Sequence, residues 1–462
     1  MAGLYLGQVA QLAGGRLLQG RPETLILSYT FDSRQAGPGT LFFALRDRRD
    51  GHQFVRDAYE KGAAAACISG EVGGLPPDFG LIKVEDTLQA LQALASRWLS
   101  LHPVKIVGIT GSVGKTSTKE FTACLLQEKF RVLKSPGNFN NQIGVPISIL
   151  SVNGSQEIAV LEMGMSRRGE IRKLTEIAPP DVAVITGIAP VHLEFFRDLE
   201  DIALAKREIL EGARPGALAV LNGDDPLLRK IGADWSRDRV LYYGFSQEFQ
   251  VRAENLEHRG FEGLRFNLVL GEDRVSLRVP FLNRALVSNL LAACAVAFSF
   301  GLKLRELLPA LNRLPAVEHR GQLLELKAGI KIYDDSYNSN PVALNSVLES
   351  LGHLPTRRKI AVLGDMLELG PEEINFHRQA GAGIPENGWH ILVTVGPRAR
   401  HLAEGAVERG FDPGSVYYFD EALEAAGWLR NILRAGDLVL VKGSHGLALD
   451  RIVTFLKKEM EA

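Results

Sequence analysis

The stretch Lys105–Lys119, KIVGITGSVGKTSTK, limits what this chain can fold into more than any other. An apolar run, Ile106 to Ile109, leads into a turn of small residues. Gly114, Lys115 and Thr116 follow, and then a segment with helical character. In that order these parts make a phosphate-binding loop. Backbone N–H groups and the helix N-terminus face an anion, the lysine reaches the terminal phosphates, and the hydroxyl ligates Mg²⁺. The candidate binding residues run from Thr110 through Gly111, Ser112, Val113, Gly114, Lys115 and Thr116 to Ser117. The strict pattern has a glycine five positions before Gly114. Ile109 stands there, so the loop is a T-G-S-x-G-K-T variant.

Such a loop implies a parallel sheet behind it. Glu157–Glu162 reads as a strand ending in a carboxylate, where phosphate-loop proteins hold Mg²⁺ and where a buried acid needs a partner. Asp181–Thr186 reads as another strand, and His192 follows its C-terminal end, the side on which open α/β sheets bind ligands. Asn138, Asn140, Asn141 and Gln142 crowd side-chain amides into one polar loop, able to hold a phosphate, a sugar or the loop itself. Lys206, in the helical stretch Leu199–Leu210, reads by charge alone as a solvated residue.

Val240–Leu282 alternates short strands and turns. The apolar run Ala285–Leu302 is about long enough to span a membrane, but Ser288, Asn289 and Ser299 interrupt it, and it reads as a buried core helix. Burying Asn289 without a partner would cost about 1–3 kcal/mol, which makes it a candidate for recognising a polar ligand. After Pro315–Gly321 the pattern restarts. Strands at Ile330–Asp335, Lys359–Asp365, His390–Gly396, Val416–Asp420 and Asp437–Lys442 alternate with helices, the signature of a doubly wound, mostly parallel sheet. Asp334-Asp335, Gly364-Asp365 and Lys442-Gly443-Ser444 give that sheet a polar edge. At the other end of the chain, a helix is expected over Leu4–Leu12, strands over Thr30–Arg34 and Leu41–Leu45, and a helix over Phe54–Lys61. The polar groups Asp32-Ser33-Arg34 and Asp50-Gly51-His52 there suit either turn chemistry or a site.

The expected fold is therefore α/β in three domains. A small α/β N-terminal substrate domain spans 1–84, a central phosphate-loop mononucleotide-binding domain 85–315, and a Rossmann-like C-terminal domain 316–462. Balanced charge, 53 basic against 54 acidic residues, argues against nucleic-acid binding through bulk charge. Cys67, Cys124 and Cys294 are far apart in apolar surroundings and read as core thiols of a reduced cytosolic protein. The N-terminus has no basic region or cleavage pattern of a signal peptide.

The loop alone does not say what the nucleotide is for. The motifs PGNFNNQIGVP, LEMGMSRRGEI, PVHLE, AKREI, HRGQ, DDSYNSNP, GDMLELG and VKGSH, taken in order with the phosphate loop, resemble the Mur ligase family of peptidoglycan-precursor enzymes from about Asp32 to the C-terminus. The resemblance implies an ATP-dependent ligase of the cytoplasm, working as a monomer, that forms an amide bond through an acyl phosphate. GDMLELG stands where the family member adding the third amino acid carries Asp-Asn-Pro-Arg. That implies D-alanyl-D-alanine as the amine and UDP-N-acetylmuramoyl-tripeptide as the acid. It further implies that Lys115 neutralises the terminal phosphates and that Thr116 and Glu162 hold one Mg²⁺. His192 and a carbamylated Lys206 would serve a second Mg²⁺. Asn289 would read adenine, Arg320 reach the γ-phosphate, and Asp335, Tyr337 and Asn338 complete the ATP face with the loop Asp365–Gly370. Ser33, Arg34, Phe43 and Ala44 would hold the uridine nucleotide, with Asn138, Asn140 and Asn141 on the same substrate. Asp47, within the basic stretch Arg46–Arg49, stands where the family often has glycine.

Overall fold

The computed structural model describes residues 3–46, 49–235 and 239–461. It divides into two compact units made of interleaved segments. The first takes the chain up to Thr110, with Lys129–Val184 and Ala205–Ala219. The second takes Gly111–Glu128, Ile185–Leu204 and the chain from Val220 onward.

In the first unit, a five-stranded sheet runs in the order Arg16–Gln19, Gly80–Lys83, Ala65–Ile68, Thr40–Phe43, Ser28–Thr30. The last four strands are parallel, and Arg16–Gln19 joins antiparallel at the edge. Phe42, Val55, Ala58, Ile68 and Phe79 form part of its core. The Ala-rich strand Ala65–Ile68 was not evident from sequence. Alanine has low strand propensity, and full burial between neighbouring strands decides the outcome here. Two expectations change. Of the helix expected over Leu4–Leu12, Leu4–Tyr5 pairs instead as a strand with Leu25–Ile26. The strand expected over Thr30–Arg34 ends at Thr30, because the Asp32 carboxylate accepts from Arg34 N (3.0 Å) and folds Ser33–Gln35 into a 3₁₀ turn.

The same unit holds the parallel strands Val132–Lys134, Ile158–Glu162 and Lys105–Thr110. Ile106, Val107, Ile109 and Ala159–Leu161 are inaccessible to solvent, as befits strands covered on both faces. Burial of Ile109 inside the strand accounts for its standing where the strict loop has glycine. The register sets Glu162 opposite Ile109, so the carboxylate leaves its strand level with the start of the phosphate loop.

In the second unit, Val251–His258, Leu264–Leu270 and Asp273–Val279 form an antiparallel meander, with Val240–Gly244 parallel to the first. The apolar run forms the helix Arg284–Ser299, begun by Asn283, whose Oδ1 accepts from Ala285 N (2.8 Å). Among the described residues no helix is long and apolar enough to cross a membrane. The C-terminal sheet runs Gln322–Glu325, Lys331–Asp334, Asp437–Lys442, Arg358–Gly364, Ile391–Val395, Val416–Phe419. It is parallel except for the antiparallel edge strand Gln322–Glu325, which the sequence reading did not include. Apolar clusters around Leu348 and Leu402, and around Ile452 and Leu429, belong to its helical layers.

Candidate active site

The loop beyond Thr110 has the backbone that its glycines permit. Gly111 has φ +150°, and a Cβ there would lie 1.9 Å from Thr186 Oγ1. Gly114 has φ +81°, and a Cβ would lie 2.2 Å from Asn289 Oδ1. Conformation and close approach both require glycine at Gly114. Ser112 N donates to Gly187 O (2.8 Å), and the Thr186 hydroxyl donates to Val113 O, so the loop is tied to the segment after the strand Val182–Ile185. Lys115 opens the helix Lys115–Leu126, and its Nζ donates to Gly111 O (2.8 Å), which places the ammonium over the loop. Ser117 is buried in the first turn of that helix.

One cleft in this unit is lined by Ser112, Gly114, Asn289, Arg320, Asp335 and Lys442, among others, with Ser117 and Asn338 also on its wall. Asn289 is half-buried at the cleft wall rather than sealed in the core, so its amide needs no internal partner. Arg320 Nη2 donates to Thr116 Oγ1 (3.3 Å), and its guanidinium lies 3.9 Å over the Tyr337 ring. Lys442, almost fully buried, donates from Nζ to Asp335 Oδ2 (2.5 Å) and to Asn338 O (3.0 Å). The Asn338 side chain is turned to its own backbone, with Oδ1 accepting from Ser339 N (2.9 Å). Lys442 had no role in the sequence reading, and its signal was its place at a strand end on the polar edge.

His192 lies beyond the strand Val182–Ile185 with φ +57°, and its Nδ1 hydrogen bonds Glu368 Oε2. Glu368 belongs to the Asp365–Gly370 loop and was not singled out from sequence.

The remaining candidates lie in the other unit. Glu162 is 1% exposed; its Oε1 accepts from Asn140 Nδ2 (2.8 Å), and its backbone N–H donates to Ser135 Oγ (3.1 Å). Asn141 Oδ1 accepts from Ile143 N (3.1 Å) and Gly144 N (2.9 Å), so that amide holds the loop itself, while Asn138 is exposed. Lys206 is 2% exposed, against the expectation from charge alone. Two residues on, buried Glu208 accepts from Gly169 N (2.8 Å) and Arg172 N (3.1 Å). Ser33 is buried, and Arg34 is exposed and paired with Asp32 (2.7 Å). The Arg34 hydrogen bond holds the Asp32 carboxyl below the usual carboxylate range. The Phe43 and Ala44 side chains are sealed in the core, and Ala44 O already accepts from Thr87 Oγ1 (3.0 Å). Asp47 lies outside the described residues. Burial pushes the Cys67 and Cys294 thiols up to about 12, consistent with core residues.

A glycine-shaped anion loop with its lysine, a polar cleft wall and a doubly wound C-terminal sheet define a nucleotide-using α/β enzyme. Residues 109–297 match the Mur ligase middle domain, and residues 319–445 match the Mur ligase, glutamate ligase domain. The chain belongs to the Mur ligase family. Within it, the UDP-N-acetylmuramoyl-tripeptide–D-alanyl-D-alanine ligase of Bacillus subtilis strain 168 is 35% identical over 448 residues, 96% of each chain. The crystal structure of MurF from Acinetobacter baumannii superposes with a TM-score of 0.88 at 27% identity, covering 99% of both chains. MurF ligase from Thermotoga maritima, solved in complex with ADP, gives 0.80 at 30% identity, covering 94% of this chain and 98% of that one.

Proposed function

We propose that this ligase joins D-alanyl-D-alanine to UDP-N-acetylmuramoyl-tripeptide, converting ATP to ADP and phosphate, in cytoplasmic peptidoglycan precursor synthesis. The observation that carries the reading is end-to-end similarity to ligases of that name, in a chain whose phosphate loop and cleft wall are intact. The terminal carboxylate of the tripeptide takes the γ-phosphoryl group and ADP leaves. The amine nitrogen, having lost a proton, then attacks the acyl carbon, and the tetrahedral intermediate collapses with loss of phosphate. Bringing a carboxylate to a triphosphate sets anion against anion, so neutralisation and alignment dominate the barrier.

Lys115 and Arg320 neutralise the terminal phosphates. Asn289 faces the base, and Asp335, held by Lys442, faces the sugar or phosphate side together with Asn338. The donors suit Mg²⁺. Among the described residues no three His, Cys, Asp or Glu side chains cluster as a closed metal cage, and Mg²⁺ typically takes one or two carboxylates together with substrate phosphates. Glu162, a buried carboxylate at a strand end, and the Thr116 hydroxyl would hold one ion; His192 and a carbamylated Lys206 would hold a second. Bound Mg²⁺ supplies charge screening between the two anions. Ser33, Arg34, Asn138 and Asn140 offer side chains to the UDP substrate, whereas the core positions of Phe43 and Ala44 leave only backbone atoms for it. The reading extends to a monomer with domains 1–84, 85–315 and 316–462. Its support is that the N-terminal five-stranded sheet and the C-terminal six-stranded sheet each close within the outer two ranges.

Phosphate release from ATP tests the function. Release that requires UDP-N-acetylmuramoyl-tripeptide and D-alanyl-D-alanine together is expected, and equal turnover with a single free amino acid would sink the assignment. For the carbamate, Lys206→Ala is expected to lose about 10²-fold in rate and to regain part of it with added short carboxylates. Wild-type rates in that variant would remove the carbamate.

A further inference from the structure

The loop Asp365–Gly370 is anchored along its length. Asp365 N donates to Val395 O (3.2 Å), and Asp365 Oδ1 accepts from Ala399 N (2.7 Å). Met366 N donates to His377 Nε2 (2.9 Å), while His377 Nδ1 donates to Glu373 O (2.6 Å). Leu367 N donates to Ser444 Oγ (2.9 Å). Met366 and Leu369 are buried, and Gly370, at φ +68°, passes so close to Leu193 that a Cβ would lie 2.9 Å from its carbonyl oxygen. What this scaffold leaves presented is Glu368.

Glu368 has φ +62°, and its partner His192 has φ +57°. Both are side-chain-bearing residues in the left-handed region, which L-residues avoid unless their surroundings hold them there. They come from distant parts of the chain and meet side chain to side chain. A carboxylate can only accept, so the hydrogen of this bond sits on Nδ1, and in the neutral ring the lone pair is on Nε2.

We propose that Glu368 is a positioning residue. It holds His192 as the Nδ1–H tautomer and so keeps Nε2 free to ligate the cation that balances the anionic substrates. The proposal rests on the reading of His192 as a cation ligand in the ligase. A carboxylate behind a ligating histidine fixes ring orientation and raises its basicity. GDMLELG thereby acquires a task beyond the choice of amine: it completes a ligand that begins some 170 positions earlier in the chain (|i−j| 176).

The test uses the full chain labelled with ¹⁵N-histidine, with long-range ¹H–¹⁵N correlation spectra at pH 8, where the ring is neutral. His192→Asn identifies the signal. The wild type is expected to show the Nδ1–H pattern. Glu368→Ala is expected to move the signal toward Nε2–H, and Glu368→Gln, which keeps an acceptor oxygen, to retain the wild-type pattern. With Mn²⁺ as the probe and a non-hydrolysable ATP analogue bound, Glu368→Ala is expected to bind about 10- to 100-fold more weakly, with most of the loss recovered in Glu368→Gln. An unchanged His192 tautomer in Glu368→Ala, or unchanged Mn²⁺ affinity, would overturn the proposal. The ligase reading fails separately, through a wild-type chain that releases no phosphate with both substrates present.

Discussion

Two loops leave buried parallel strands in this molecule, and they work in opposite ways. Gly111–Lys115 follows Lys105–Thr110, and Asp365–Gly370 follows Arg358–Gly364. The first presents backbone. Gly111 and Gly114 fit beneath Thr186 and Asn289 because they have no side chains, and their N–H groups are left for an anion. The second presents a side chain. It puts a glutamate, not a glycine, in the left-handed region and keeps it there with bonds from His377, Ser444 and Ala399. A backbone site writes itself into its own sequence as glycines. A side-chain site is specified by its supports, which lie elsewhere in the chain.

The sharpest way to break this contrast is Lys115→Ala. Losing the cation over the loop is expected to lower phosphate release by about 10³-fold while leaving the thermal midpoint nearly unchanged; turnover within about tenfold of wild type would refute the assigned role. Next come the two glycines. Gly114→Ala drives a methyl group into Asn289 and is expected to cost about 10² in kcat/KM for ATP through displacement of the loop. Gly370→Ala is expected to show itself chiefly as about 1–2 kcal/mol of stability, with nucleotide affinity preserved. Equal damage to ATP binding from both variants would erase the distinction. Ser444→Ala leaves Leu367 N–H without its acceptor and is expected to destabilise by about 1–3 kcal/mol, measured by denaturant unfolding.

The smallest effect is a pH dependence. Burial lowers the pKa of His377 below that of the unfolded chain, about 6.5. As pH falls the unfolded state takes up the proton first, so this contribution to stability is present above pH ~6.5 and is lost as pH falls from there toward the lowered folded value. His377→Gln is expected to flatten that slope between about pH 6.5 and 5. A slope equal to wild type would show that the histidine is not what senses acid.

Legibility followed the same division. The phosphate loop, the carboxylate of Glu162 at its strand end and the parallel C-terminal sheet were readable because strand, turn and helix signals there are local. Ala65–Ile68 escaped because nothing in a run of alanines favours a strand until neighbours bury it. Asn289 was expected in the core because periodicity marks an apolar helix but not which residue meets a cleft. Lys206 looked solvated for the same reason: its burial comes from tertiary packing and not from the charge pattern of its helix. Glu368 could not be recognised from six residues of loop, since its left-handed backbone is imposed by His377 and Ser444.

The helix that carries the phosphate loop also bears on synthesis. Lys115–Leu126 packs against Arg284–Ser299, and Phe121 stacks on Phe281 with ring centroids 5.3 Å apart. On a ribosome adding about 5–20 residues per second, the intervening chain takes roughly 8–30 s to emerge. For that interval Phe121, Leu125 and Leu126, all buried in the finished molecule, have yet to meet their partner helix. The loop that defines the enzyme is thus made early and secured late, and a nascent chain paused before Arg284 exposes an apolar face that a chaperone could hold.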